Sequence, residues 1–192
     1  MNFRGDSIRV MHPLFQVEDD GSTPISPLQL NVSECDISTA IALNELWHSR
    51  LPNVVKSNIQ RTRNNVCFAA YFDNKYYASA IWTDPIARNL NGKLMLELRR
   101  LAIANDAPKN TASRVLKLMR LLIKTKFPFI ETLISYQDTD VHTGTIYKAA
   151  GWVNTNRSKV SKTGWNSRDR NKMQATGDKI RWEYSMKKRG RR

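Results

Sequence analysis

The sequence contains 192 residues with a hydrophobic fraction of 41%, which is enough to form one globular core. Its longest apolar run, Val66 to Phe72, has 7 residues, far below the roughly 18 that a membrane helix needs. The N-terminal residues contain no apolar stretch of signal-peptide length. The two cysteines, Cys35 and Cys67, lack disulfide-scaffold or zinc-ligand spacing. We therefore expect a cytoplasmic protein with no membrane association.

Positive charge is concentrated near the C-terminus. The formal net charge is +14, and the segment from Arg157 to Arg192 contains 13 basic and 3 acidic residues. Such a field favours a polyanion, most simply nucleic acid, and aromatic residues among the cations suit stacking on bases. The last six residues alone are better interpreted as a solubilising tail. The predicted DNA contacts are Arg168, Arg170, Lys172, Trp165 and Trp182.

Three regions follow from composition and periodicity. Residues 1–27 contain three prolines and no sustained periodicity, which predicts an N-terminal arm. Residues 28–156 alternate strand and helix patterns and form the predicted catalytic core. Residues 157–192 are predicted to complete the sheet and to bind nucleic acid.

The first half of the core predicts a strand, a helix and a hairpin. Alternating apolar residues predict a strand over 28–32, and Asp36 or Ser38 is suited to cap a helix that runs to His48. The expected apolar side of this helix consists of Ile37, Ile41, Leu43, Leu46 and Trp47. Strands over 66–72 and 76–82 flank a tight turn at Asp73-Asn74.

The second half begins with a strand whose parity slips. Leu94, Leu96 and Leu98 alternate, but the next apolar residues are Leu101 and Ile103. The slip predicts either a β-bulge at Arg99-Arg100 or a strand that ends at Leu98. The next elements are a helix over 110–126, which Asn110 or Thr111 is expected to cap, and a strand over 130–136. A short helix over 143–150 that stops at Gly151 and strands over 152–155 and 179–186 follow. The order predicts a mixed α/β (α+β) domain.

Two sequence blocks carry a family resemblance. The element order and the segment Thr145-Ile-Tyr147-Lys-Ala-Ala-Gly151-Trp152 resemble GCN5-related acetyltransferases (GNAT), which implies a mixed central sheet with helices on both faces and a bulged fourth strand. More specifically, LELRRLAIANDAPKNTASR (96–114) and ISYQDTDVHTGTIYKAAGW (134–152) are similar to the Mom proteins of Mu-like phages. That resemblance implies an enzyme that converts N6 of adenine in double-stranded DNA to its methylcarbamoyl (acetamido) form and protects phage DNA from restriction.

The donor of the transferred group stays open. GNAT enzymes that use acetyl-CoA hold its pyrophosphate with a glycine-rich loop at a helix N-terminus. Residues 105–113 contain no glycine, and Pro108 has no backbone N–H to donate. Lys109, Asn110 and Ser113 remain as phosphate contacts. Acetyl-CoA and an aminoacyl-tRNA are the two candidate donors.

The resemblance also suggests roles for individual residues. Asp138 is expected to hold or deprotonate the adenine amine, with a turn-capping role as the alternative. Tyr147 is expected to act as a general acid, with a core position as the alternative. Arg99 and Arg100 are expected to divide between an anionic ligand and an ion pair with Glu97. His48 is expected to border the acceptor site, with a helix C-terminal position favoured by the helix dipole as the alternative. Tyr71 is expected to lie opposite it, with a packed core ring as the alternative.

Three further alternatives remain at the level of sequence. Asp138, Asp140 and His142, together with His48, are candidate iron ligands, although their spacing is not typical of a metal site. The protein is alternatively an ordinary N-acetyltransferase that uses acetyl-CoA on a protein or small amine, or a non-catalytic nucleic-acid-binding relative of such enzymes. The sequence leaves the oligomeric state open, and a dimer is one alternative.

Overall fold

The computed structural model describes residues 23–47, 54–87, 89–140, 143–158 and 178–187. These residues form seven strands and four helices. In chain order they are β1 (Asn31–Cys35), α1 (Ile37–Trp47), α2 (Lys56–Gln60), β2 (Asn65–Phe72), β3 (Lys75–Thr83), β4 (Met95–Ile103), α3 (Thr111–Lys126), β5 (Thr132–Asp138), α4 (Thr145–Ala149), β6 (Val153–Ser158) and β7 (Lys179–Ser185). No helix within the described ranges is long and apolar enough to cross a membrane.

All seven strands join one sheet in the order β1-β2-β3-β4-β5-β7-β6. Neighbouring strands are antiparallel except β4 and β5, which are parallel. The strand β7 comes from the basic C-terminal segment and is inserted between β5 and β6. The predicted mixed α/β sheet is confirmed.

Strand β4 carries the predicted bulge. Ile81 on β3 pairs with Arg100, whereas the next residue, Trp82, pairs with Leu98, so Arg99 is the extra residue on β4. The strand continues to Ile103. The parity slip in the sequence therefore marks a bulge, and the alternative of a strand that ends at Leu98 is wrong.

Helices cover both faces of the sheet, as predicted. On one face, α3 buries Val115, Leu116, Met119 and Ile123 in the main core. On the other face, a smaller cluster contains Ala40 of α1, Ile59 of α2, and Cys67 and Ile81 of the sheet. The helix α2 was not expected from the sequence.

The first strand and the first helix differ from the sequence-based expectation. Strand β1 begins at Asn31 because the Gln29 side chain closes the preceding turn by accepting the backbone N–H groups of Ile25 and Ser26. Helix α1 is capped by Asp36, whose Oδ1 accepts the Thr39 N–H at 3.0 Å. The prediction that Leu46 belongs to the apolar side of α1 is wrong, because Leu46 is 72% exposed.

The buried side of α1 is instead small and polar. It consists of Thr39, Ala40 and Asn44, and Asn44 donates its amide to the Ala40 carbonyl at 2.8 Å and to Ser79 Oγ at 3.1 Å. Ser79, on the sheet below α1, therefore gives the buried Asn44 amide a polar acceptor. This contact does not follow from the hydrophobic periodicity of the helix.

Two glycines bracket α4 in the left-handed backbone region. Gly151 ends the helix at a φ of 82°, as predicted. Gly144, at a φ of 75°, precedes it, and a Cβ there would lie 2.4 Å from Gln137 Oε1 and 2.6 Å from Trp182 Cζ2. Gly144 therefore allows α4 to approach the sheet closely.

We expect Gly144→Ala to lower the free energy of unfolding by at least about 2 kcal/mol, since it combines backbone strain with overpacking. Gly92→Ala is the matched control, because a Cβ at Gly92 meets only ordinary contacts, the nearest at 3.6 Å. Its effect should stay within about 0.5 kcal/mol. Urea denaturation measures both, and equal midpoints for the two variants would contradict the close approach.

Candidate active site

The two parallel strands separate in the middle of the sheet. β4 and β5 pair from Met95 and Thr132 to Leu98 and Ser135. Beyond that point β4 pairs only with β3 and β5 only with β7 within the described ranges. The strands diverge from Leu98 and Ser135 onward, directly beside the Arg99 bulge.

Ionisable side chains collect on one face of the sheet around this divergence. Side chains alternate between the faces of a strand, and the bulge aims Arg99 and Arg100 to the same side, where Arg99 approaches Thr83 Oγ1 at 3.5 Å and Arg100 lies opposite Ile81. We call this surface the charged face. It consists of Glu97, Arg99, Arg100, Tyr136, Asp138, Lys179, Arg181 and Glu183.

Glu97 is the buried carboxylate of the charged face. Only 6% of the residue is exposed; its Oε2 accepts the Ile86 N–H at 3.0 Å, and its Oε1 lies 3.9 Å from Arg99 Nε. Burial raises the pKa of Glu97, while the Ile86 hydrogen bond and the two arginines oppose the rise. Burial likewise lowers the pKa of Arg99 and of Arg100.

Sequence reasoning treated Glu97 only as a partner for the arginines. The sequence carried no signal of its burial, because Glu97 alternates with Leu96 and Leu98 as a solvent-facing strand residue would. The structure makes Glu97 the link between the β3–β4 loop, through Ile86, and the arginine bulge.

Tyr136 and Arg181 form a second pair that the sequence analysis did not single out. Arg181, opposite Tyr136 on β7, donates to the Tyr136 hydroxyl and also lies 2.8 Å from Glu183 Oε1. Burial raises the pKa of Tyr136, with a further rise from the nearby Glu97 charge. The Tyr136 phenol is therefore held in one orientation at the divergence of the strands.

Asp138 ends β5 and is half-buried on the charged face. Its Oδ1 accepts the Asp140 N–H at 3.0 Å, so the carboxylate does form the turn contact that was its alternative role. That contact occupies one carboxylate oxygen. Asp138 lies two residues beyond Tyr136 on the same face.

Tyr147 lies on the opposite face and is 7% exposed. Its hydroxyl is 2.8 Å from the hydroxyl of Ser135, the last β5 residue that pairs with β4. Burial raises the pKa of Tyr147, and the Ser135 hydrogen bond opposes that rise. Tyr147 is thus a core tyrosine whose hydroxyl lies at the divergence of the strands.

The predicted base-stacking role of Trp182 is wrong. This side chain is 3% exposed, its ring stacks on Tyr147 with centroids 5.4 Å apart, and its Nε1 donates to Gln137 Oε1 at 2.7 Å. Strand alternation directs Trp182 into the core, so neither ring face is available to a base.

The predicted donor residues cluster after β4. Asn110 adopts a left-handed φ of 70° and makes no side-chain cap, which corrects the expectation that it caps α3. Thr111 Oγ1, the other expected cap, donates to the Pro108 carbonyl at 2.6 Å, and Ser113 Oγ donates to the Asn110 carbonyl at 3.0 Å. Lys109 is exposed. The loop thus reaches, without glycine, a conformation that glycine usually supplies.

The structure does not unite all the predicted site residues. Tyr71 lies on β2, which β3 and β4 separate from β5 and Asp138. His48, His142, Trp165, Arg168, Arg170 and Lys172 lie outside the described residues. Among the described ranges, no group of three or more His, Cys, Asp or Glu side chains is placed to hold a metal ion.

Solved structures with the same arrangement are acetyltransferases. The chain resembles the ribosomal-protein-S18-alanine N-acetyltransferase from Escherichia coli (TM-score 0.58, 12% identity, 85% of this chain and 99% of that chain). It also resembles a GNAT family acetyltransferase from Elizabethkingia anophelis with acetyl-CoA bound (TM-score 0.53, 16% identity, 82% and 99%). A Bacillus subtilis acetyltransferase in complex with CoA is similar (TM-score 0.54, 10% identity, 82% and 98%).

The sheet order and the divergent β4–β5 pair therefore define the class of this chain as a GNAT-like fold. A family model narrows this class: the model of the Mom protein family matches residues 63–191, and the chain belongs to that family. A search of curated protein sequences found no significant match.

Glu97 predicts a specific dependence of stability on pH. Because burial raises its folded-state pKa above the unfolded value of about 4.3, the folded protein binds this proton more tightly. Wild-type stability should therefore fall as pH rises from about 4.3 through the folded pKa. Glu97→Gln should remove this part of the fall. Glu45→Gln, on the exposed side of α1, should retain it.

Urea denaturation at a series of pH values measures the free energy of unfolding of these proteins. Curves for Glu97→Gln and wild type that run parallel across the whole range would refute the assignment of the raised pKa to Glu97.

Proposed function

We propose that this protein is a phage DNA-modification enzyme that converts N6 of adenine to the methylcarbamoyl form and so protects DNA from restriction. The observation that carries the proposal is the Mom family match, which spans both β4 with its bulge and the end of β5. The charged face lies inside the matched residues. The net charge of +14 supports double-stranded DNA as the substrate.

The adenine amine is a poor nucleophile because its lone pair is delocalised into the ring. In the proposed mechanism, Asp138 accepts a hydrogen bond from this amine, orients it and takes up a proton as the amine reacts. Asp138 is half-buried at the strand end with one oxygen in the turn contact to Asp140. The other oxygen is assigned to the amine.

Tyr147 is proposed as the proton donor. A phenol is protonated at neutral pH, which is the state that a general acid requires, although burial raises the pKa of Tyr147 and so makes this proton harder to give. The hydroxyl lies beside Ser135, where β4 and β5 separate. In this proposal, the Tyr147 Oη proton passes to the leaving group of the donor, and Ser135 holds the phenol in position.

The donor is proposed to lie between the divergent strands, with its phosphates at the start of α3. An acetyl-CoA donor fits in part, since the left-handed Asn110 leaves the helix start without a side-chain cap, whereas Pro108 contributes no N–H. Lys109 and Ser113 would hold the phosphates, and Arg100 would hold an anionic part of the donor. When bound, acetyl-CoA or an aminoacyl-tRNA supplies an activated acyl group.

Ordinary acyl transfer does not by itself account for the proposed product. Transfer of an acetyl group gives an amide, whereas the methylcarbamoyl product has N6 bonded to a methylene carbon. The roles of Asp138 and Tyr147 do not depend on the donor, because both side chains act only on protons.

The duplex is proposed to meet the protein through its basic residues. An amine inside the stack is not accessible to a compact site, so the target adenine must leave the helix. The basic segment would hold the backbone by charge, and Trp165 would stack on a base. Arg168, Arg170 and Lys172 provide the phosphate contacts in this proposal.

Asp138→Asn tests the site, because asparagine keeps the Oδ1 acceptor of the Asp140 turn and removes only the charge. Mass spectrometry of nucleosides from plasmid DNA of expressing cells should detect methylcarbamoyladenosine for wild type and none for Asp138→Asn. Asp140→Asn, the matched control, should retain the product.

If the well-expressed wild-type protein leaves adenine unmodified, the proposal is wrong. That outcome would favour the second candidate, an acetyltransferase of proteins or small amines. That candidate is favoured by the similar structures with acetyl-CoA or CoA bound. DNA binding without product for any variant would favour the non-catalytic alternative.

Tyr147→Phe separates the proposed chemical role from the packing role. Phenylalanine keeps the stack on Trp182 and removes the hydroxyl, so the modification rate should fall about 10²- to 10⁴-fold. Ser135→Ala removes the partner and keeps the phenol. Both variants should lose about 1 kcal/mol of stability, measured by thermal unfolding. A modification rate for Tyr147→Phe that equals the wild-type rate would assign Tyr147 to the core alone.

A further inference from the structure

We infer that Tyr136 is the platform on which the extruded purine stacks, which makes it a specificity-determining residue of the acceptor site. The inference rests on the proposed function and adds the position of the base. It assigns the charged face two separate tasks: Tyr136 holds the plane of the base, and Asp138 meets its amine.

Tyr136 lies beside the part of the sheet that α1 covers, not beneath it. Helix α1 packs over β2, β3 and β4 on this side of the sheet. Tyr136 lies one strand further along, on β5, and is half-buried. Within the described ranges, no aromatic ring or cation stacks on its ring, whereas Tyr147 and Trp182 on the other face stack on each other.

The Tyr136 ring is held in position before any ligand binds. Arg181 binds the Tyr136 hydroxyl, and Glu183 in turn fixes Arg181 at 2.8 Å. Arg181 Nε also lies 3.4 Å from Thr155 Oγ1 on β6. A ring held at its hydroxyl end loses little conformational freedom when a base stacks on it, which favours binding.

The charged side chains on the same face as Tyr136 suit a nucleotide. Asp138 is two residues along the same strand face, a spacing of about 7 Å, which is comparable to the span of a purine. Lys179 lies opposite Asp138 on β7, and Arg99 and Arg100 lie on the same face across the opening between β4 and β5, so the charged face carries cations that suit the phosphate of an extruded nucleotide. An aromatic plane with a carboxylate two residues away and cations on the same face fits a purine that carries an exocyclic amine.

The test compares Tyr136→Ile, Tyr136→Phe and Tyr136→Trp. Isoleucine suits a strand but has no ring, phenylalanine keeps the ring without the hydroxyl, and tryptophan enlarges it. Phe129→Ile is the matched control, because Phe129 is 48% exposed and lies outside the charged face.

Two measurements are made on the full chain. The first is the KM for DNA and the kcat of adenine modification. The second is the quenching of 2-aminopurine, placed opposite an abasic site in a duplex, when the protein binds; this readout needs no turnover. A stack on an aromatic ring quenches this fluorescence, and an aliphatic side chain does not.

We expect Tyr136→Ile to raise KM by about 10-fold or more with little change in kcat and to abolish most of the quenching, which is the scale of one lost base stack. Tyr136→Phe keeps the ring but loses the hydroxyl contact, so it should retain most of the quenching with a smaller rise in KM than Tyr136→Ile, and Phe129→Ile should stay near wild type. Tyr136→Trp should quench the 2-aminopurine fluorescence at least as strongly as wild type. If the isoleucine variant does not fold, the result for Tyr136→Trp decides whether residue 136 is the base platform.

Each outcome bears on a different claim. Normal KM and quenching in Tyr136→Ile, or quenching lost in Tyr136→Trp, overturns the role of Tyr136 while DNA modification stands. Absent modification with quenching that depends on an aromatic ring at 136 rejects the proposed reaction and retains the base platform. Absent modification with no quenching by wild type rejects both.

Discussion

The single extra residue in β4 determines how both faces of the sheet are used. Without the bulge at Arg99, strict alternation from Leu98 onward would turn Arg100 toward the core and place Ile103 on the wrong side of the sheet. With it, the apolar residues after the bulge return to the α3 side, and two consecutive arginines face the opposite side. The core stays apolar, and the cations gather beside Glu97. The same position is where β4 and β5 cease to pair, so the bulge and the opening between the strands coincide.

The two faces beside this opening have opposite physical characters. On the α3 side, Tyr147, Trp152 and Trp182 pack ring to ring around the Ser135 hydroxyl. On the charged face, ionisable groups lie against one another under partial burial, which raises the pKa of Glu97 and lowers that of Arg99. The closely packed aromatic side and the polar, partly exposed side therefore meet where β4 and β5 separate. The proposed proton donor, Tyr147, lies on the first side, and the proposed acceptor, Asp138, lies on the second.

Local patterns in the sequence predicted the elements whose physics is local. The amphipathic period predicted α3, the lost parity predicted the bulge, and Gly151 predicted the stop of α4. Contacts between distant segments could not be predicted in this way. The position of β7 between β5 and β6 decides that Trp182 faces the core, although the basic segment that contains it suggested a surface that binds nucleic acid. The polar contact of Asn44 with Ser79 likewise required knowing which strand lies under α1.

The loop before α3 shows how far a motif can change while its geometry is retained. Phosphate-binding loops use glycine because the backbone must enter the left-handed region and approach the ligand closely. Here Asn110 enters that region, and asparagine is the residue that best tolerates it after glycine. Pro108 removes one N–H donor from the same loop, and Lys109 adds a charge beside it. A search for glycines therefore misses a loop of this shape, whereas the backbone angle at Asn110 reveals it. In the proposed donor site, the exchange would replace backbone hydrogen bonds with side-chain charge, which makes less demand on the shape of the remainder of the donor. That property would suit the proposed transferase if its donor is not bound in the manner usual for acetyl-CoA.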